Sequence, residues 1–187
     1  MHHLLIVALL TTTALVAGQG HAQSSHGTQN HSGSTGHMHN EHTMPGLRGP
    51  NVSMEESKEM QILFQKFRAI DRTVTNLPNG IRTLTTTSDP QALEALISHV
   101  VGMIGRVEAA DDPQVFIQSP TLDIFFLRGA QISTQIDVEE NGISVIQTSE
   151  DPEMVIALQT HAEEVTDMVN RGMHAVHERM MRTGQTH

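Results

Sequence analysis

The sequence predicts an α+β fold. Two pseudo-symmetric helix–strand–strand–helix repeats form one antiparallel sheet covered by helices, preceded by a disordered His-rich tail. Three observations carry this expectation. The stretch 70–107 returns over 132–169, sixty-two positions later and without a gap. Each copy holds a run rich in β-branched residues split by a turn signal, then an Asp-Pro stop and an apolar stretch at helical spacing. Residues 23–50 hold almost no aliphatic side chains and cannot offset the entropy of ordering.

Residues 1–22 read as a secretory signal peptide. Their apolar run, 4–17, is too short to span a bilayer and ends in Gly20-His21-Ala22, small residues at the two positions a signal peptidase reads. His2 and His3 stand where Lys or Arg is usual. The expected compartment is the periplasm, with a mature chain beginning near Gln23 and no membrane attachment after cleavage. Residues 23–50 follow as the disordered segment, and 51–187 as a single α+β domain.

Repeat 1 covers about 54–109 and repeat 2 about 119–181. A helix opens at Ser53, a good N-cap, with Glu55 and Glu56 in its first turn. Met60, Leu63, Phe64 and Phe67 give it one apolar face. The hairpin over 70–87 turns at Leu77-Pro78-Asn79-Gly80, which suits a type I turn with a left-handed Gly80. Asp89 caps the next helix, with Pro90 at its first position. In the second copy, Leu122, Phe125 and Phe126 match Met60, Leu63 and Phe64. Asn141-Gly142-Ile143 matches Asn79-Gly80-Ile81, and Asp151-Pro152 matches Asp89-Pro90. The last helix is expected to run from Pro152 to about Met181, with Gly172 as its only interruption. A pseudo-twofold axis then brings the two long helices near each other.

Composition narrows the chemistry. The formal net charge of -10 argues against nucleic acid or an anionic membrane surface as partner. The 187 residues include no Cys, which excludes disulfides, thiolate metal sites, iron–sulfur clusters, thioether-attached haem and a thiol nucleophile. There is no His-Glu-x-x-His, no Gly-x-Ser-x-Gly and no phosphate-cradling Gly loop. His161-Ala162-Glu163-Glu164 holds a His-x-x-Glu too common to specify anything. An enzyme is the class least expected.

Three sets of donors remain. In the tail, His26, His31, His37, Met38, His39, His42 and Met44 offer mixed imidazole and thioether donors, a set suited to copper and also able to take zinc or nickel. At the end of the chain, His174, His177 and Met181 share one helical stripe and form a candidate metal site. Between them, His99 and His161 are repeat-related and sit within apolar stripes. Across the axis they are candidate ligands of one metal or one haem, with Met103 or Met168 alongside. The bland reading is that each imidazole merely bonds a backbone group within its repeat, since duplication copies a structural histidine as readily as a ligand.

Met44-Pro45-Gly46-Leu47-Arg48-Gly49, Leu77-Pro78-Asn79-Gly80-Ile81-Arg82-Thr83 and Ser119-Pro120-Thr121-Leu122-Asp123 together resemble a group of exported bacterial proteins with a duplicated hairpin–helix unit. The resemblance covers about 44–181 and implies a periplasmic place and a duplicated fold. It carries over no activity, ligand or site residue. The tail is similar in composition to periplasmic copper-handling proteins. The expected function is therefore periplasmic binding of a transition metal, copper foremost, for buffering or delivery. The alternatives are a haem- or other cofactor-binding domain built on His99 and His161, and a non-catalytic interaction module.

Overall fold

Both copies of the helix–hairpin–helix unit are present in the computed structural model, which describes residues 44–184. The leader and His26, His31, His37, Met38, His39 and His42 lie outside the described residues. Helix α1 (Met54–Gln65) begins on a complete capping box. Glu56 N donates to Ser53 Oγ at 3.1 Å and Ser53 N donates to Glu56 Oε2 at 2.8 Å. Two of the amides that a helix start leaves unpaired are thereby satisfied.

Strands β1 (Ile70–Leu77) and β2 (Gly80–Thr87) follow as the first hairpin. Asp89 caps α2 (Pro90–Glu108) through the amides of Gln91 and Ala92. Then come α3 (Asp123–Arg128), β3 (Ser133–Glu139), β4 (Gly142–Thr148) and α4 (Pro152–Arg171), again on an Asp-Pro start. Helix α5 (Met173–Thr183) has no counterpart in the first copy.

The sheet order is β1-β2-β4-β3, antiparallel throughout. Thr83 pairs with Val145, its own counterpart in the second copy, so the pseudo-twofold passes between them. Two hydrogen bonds obey the same axis: Thr87 N donates to Asn141 O and Ser149 N to Asn79 O, both at 2.9 Å. Two ion pairs obey it as well, Lys66 with Asp89 and Arg128 with Asp151. Each clamps the end of a copy's first helix to the cap of its second. Glycine is required where β2 and β4 meet. A Cβ on Gly80 would lie 2.0 Å from Gln147 O, and one on Gly142 would lie 2.2 Å from Thr85 O.

The helices cover the sheet unevenly. Helix α4 packs on β1 and β2, while α2 reaches from β2 to β4. Leu158 and Met154, both at 0% exposure, join Ile81 of the first hairpin in one core cluster. Leu96, the counterpart of Leu158, joins Ile143 and Val145 of the second hairpin. Each long helix thus buries apolar residues of the other copy's hairpin. A two-stranded hairpin is marginal alone, so the copies stabilise each other.

Three expectations need correction. Gly80 is not left-handed: its φ of 159° lies far from the value near +57° that the bulge requires. The last helix is not continuous. Gly172, at φ 58° and ψ -139°, ends α4, and its bare Cα faces the Phe67 ring where a Cβ would come within 2.9 Å. Residues 44–50 are ordered instead of belonging to the tail. Leu47 is 1% exposed in a cluster with Phe64, Ile117 and Val176, and Phe116 N donates to Arg48 O at 2.8 Å. One fully buried leucine supplies the apolar contact that the polar composition around it conceals.

Candidate functional site

The inward faces of α2, α4 and the sheet do not close on each other completely. They leave a cavity of about 300 Å³ between them. It lies on the pseudo-twofold, because both members of several repeat-related pairs line it. Ile81 with Ile143, Thr83 with Val145, His99 with His161 and Val107 with Val169 all face the same space. Most of its wall is Leu, Ile, Val, Met and Phe.

The charged groups break this symmetry. Arg72 lines the cavity from β1, where the second copy has Thr134. Glu164 lines it from α4, where the first copy has Gly102. Arg179 reaches it from α5. Glu164 accepts from Ser119 Oγ at 2.6 Å and from Thr121 Oγ1 at 3.3 Å. Its other oxygen is 3.8 Å from His161 Nδ1, beyond hydrogen-bond range. Arg179 donates to Ile117 O at 2.7 Å. Arg72 Nη1 donates to Thr85 Oγ1 at 2.7 Å, its register partner. Buried side-chain atoms without a partner cluster here: Arg72 Nε, His99 Nδ1, His161 Nδ1, Glu164 Oε2 and Arg179 Nε.

Electrostatics follows from burial. Loss of water pushes the His99 imidazole down to about 4; the Glu56 charge opposes the shift and the His161 charge adds to it. His99 is therefore a neutral imidazole at pH 7. Burial likewise lowers the Arg72 guanidinium to about 10, and no acidic neighbour counters it. It stays a cation. Burial pushes the Glu164 carboxyl up, but His161, Ser119 and Arg179 outweigh it and hold the group below the usual carboxylate range. Phe125 meets the His161 ring edge-on, with centroids 5.4 Å apart.

The structure brings His99 and His161 to one cavity, with Met103 and Met168 on its wall. The other predicted donors behave differently. His174 is exposed, Met181 is 68% exposed and His177 is half-buried on α5. Met44 packs on the Leu47 cluster and contributes to the core. Among the described residues, no three His, Cys, Asp or Glu side chains come together as a metal-holding group. Among them, too, no helix is long and apolar enough to cross a membrane. Ser119 Oγ donates to a carboxylate and not to an imidazole, so this pair is no activated nucleophile.

Sequence reasoning passed over Arg72, Glu164 and Arg179. A signal existed for the first. Ile70, Arg72 and Val74 alternate on the inward face of β1, where the second copy reads Ile132, Thr134 and Ile136. A cation at an inward position on one side only is the departure to look for. Comparisons with family models, with curated proteins and with solved structures return no match.

Proposed function

We propose that the folded body binds a small, mainly apolar molecule in the cavity between α2, α4 and the sheet, and carries it outside the cytoplasm. One observation carries this reading: both copies turn the same inward positions to a single apolar space of about 300 Å³. That volume lies at the lower end of small-molecule sites. The extracytoplasmic setting rests on the apolar leader and on Gly20-His21-Ala22.

The cavity also limits the ligand. At ~30 Å³ for each water-sized group, it admits about ten non-hydrogen atoms. A haem is roughly four times larger by the same measure, so the enclosed space between His99 and His161 favours a ligand smaller than a porphyrin. Calorimetric titration with 1-octanol, a neutral probe of suitable size, tests the reading. Saturable uptake of one molecule per chain is expected, and it should be lost in Val145→Phe, which fills the space on the axis. Wild-type protein that takes up no 1-octanol, or a folded Val145→Phe variant that binds it unchanged, rules the reading out.

A second reading concerns the tail and is supported by its donor density. His37, Met38, His39 and His42 fall within six residues. Such a segment suits collection of copper ions, independently of the cavity. Met44 does not join this set, since it is engaged in packing.

A further inference from the structure

We propose that the molecule held in the cavity ends in a carboxylate and that Arg72 is its counter-ion. This deepens the cavity reading and rests on it. Arg72 sits on the inward face of β1, paired in register with Thr85, and behind Thr85 the row continues to Ile143. Its neighbours on that face are Ile70 and Val74. One hydrogen bond, to Thr85 Oγ1, fixes the guanidinium through Nη1. Its Nε is shut off from water and meets no acceptor.

The other shielded arginines show what is missing. Arg106 pairs with Glu56 and Asp111, and Arg128 with Asp151 and Glu153. Arg179 lies within the influence of Glu164. Among the described residues, neither Arg72 nor Arg179 has an acid within ion-pair distance, and of the two only Arg72 has no acid offsetting its burial. A cation withdrawn from water without a partner destabilises a fold. Thr134, the symmetric residue, shows that the scaffold does not require a cation at this position.

The open side of the guanidinium selects the head group. Carboxylate oxygens match adjacent N–H donors of an arginine side by side. A dianionic phosphate fits less well, because Arg72 brings a single charge and Glu164 already places a negative one in the same cavity. Neutral His99 offers a hydrogen bond without charge. The apolar walls on the axis then take a short hydrocarbon tail that runs from the first hairpin toward the second copy. Octanoate, with ten non-hydrogen atoms, matches the size worked out above.

Calorimetry on the full mature chain at pH 7 compares octanoate, methyl octanoate and 1-octanol. Wild-type protein is expected to bind octanoate at least tenfold more tightly than either neutral probe. Arg72→Met should weaken octanoate at least tenfold and leave 1-octanol within threefold. It should melt no lower than wild type, since it removes an unpaired charge. Equal binding of octanoate and methyl octanoate by wild type overturns the proposal without needing a variant, and leaves the cavity reading standing. A folded Arg72→Met protein that keeps full octanoate affinity overturns it as well. Uptake of none of the three probes removes the cavity reading and this proposal together.

Discussion

Mild acid should weaken this fold through His99 before most of its carboxylates titrate. Burial holds the folded-state imidazole at about 4, against 6.5 when it is free in water. The unfolded chain therefore takes up a proton near pH 6.5, whereas the folded protein takes it up only near pH 4. Stability from this group is complete above pH 6.5 and is lost as the pH falls through the folded value. The full gap corresponds to about 3 kcal/mol. About three-fifths of it, roughly 2 kcal/mol, is gone by pH 5. The perturbation is His99→Gln, which keeps a polar amide and removes the proton site. The assay is urea unfolding followed by far-UV circular dichroism at pH 7 and pH 5, because the chain has no Trp or Tyr to report by fluorescence. Wild type should lose about 2 kcal/mol more than the variant between the two conditions. Equal losses would show that His99 is not held neutral by burial.

The centre of the sheet gives a sharper structural test. Gly80→Ala and Gly142→Ala each force a Cβ to within 2.2 Å or less of a carbonyl oxygen on the facing strand. Each should destabilise by about 3 kcal/mol, read from thermal melts, whereas Gly102→Ala meets open space and should not lower the melting temperature. For the tail, deleting residues 23–43 should abolish tight copper uptake and leave 1-octanol binding intact, as measured by metal analysis and calorimetry on the same samples. Retention of copper by the shortened chain would move the metal site into the body. The mass of protein recovered from the periplasm should correspond to a chain starting at Gln23; the full-length mass would contradict the cleaved leader.

Much of the fold was legible because duplication repeats its own punctuation. Asp89-Pro90 and Asp151-Pro152 mark both helix starts, and Asn79-Gly80 and Asn141-Gly142 mark both turns. The inward faces could also be read from periodicity. What periodicity lacks is the partner of each face, so the contact of Leu158 with Ile81 and of Leu96 with Ile143 could not be assigned. The break at Gly172 depends on the Phe67 ring, more than a hundred residues away in sequence. Leu47 was hidden by the polar residues around it, and its burial acts together with backbone hydrogen bonds from Phe116 and Ile117 to Arg48 and Gly46, which the sequence does not show.

The site was legible in part. His99 and His161 drew notice as a repeated pair in apolar stripes, and the axis does bring them to one cavity. The charges that distinguish its two ends could not be read from the repeat because they depart from it. Arg72 replaces a threonine and Glu164 a glycine, and Arg179 belongs to an added helix. An arginine in an alternating strand looks solvated until the register shows which face is covered. Glu164 lay within a His-x-x-Glu whose commonness concealed its contacts with Ser119 and Thr121.

Isotope-filtered nuclear Overhauser spectroscopy on the mature protein saturated with octanoate tests the shared cavity most directly. Methylene protons of the bound chain should give contacts to the methyl groups of both Ile81 and Ile143, one from each copy, and the Arg72 Nε proton should shift on binding. Contacts confined to exposed apolar residues such as Phe116 or Leu127, with Arg72 unmoved, would place the ligand outside the fold's axis and contradict the assignment.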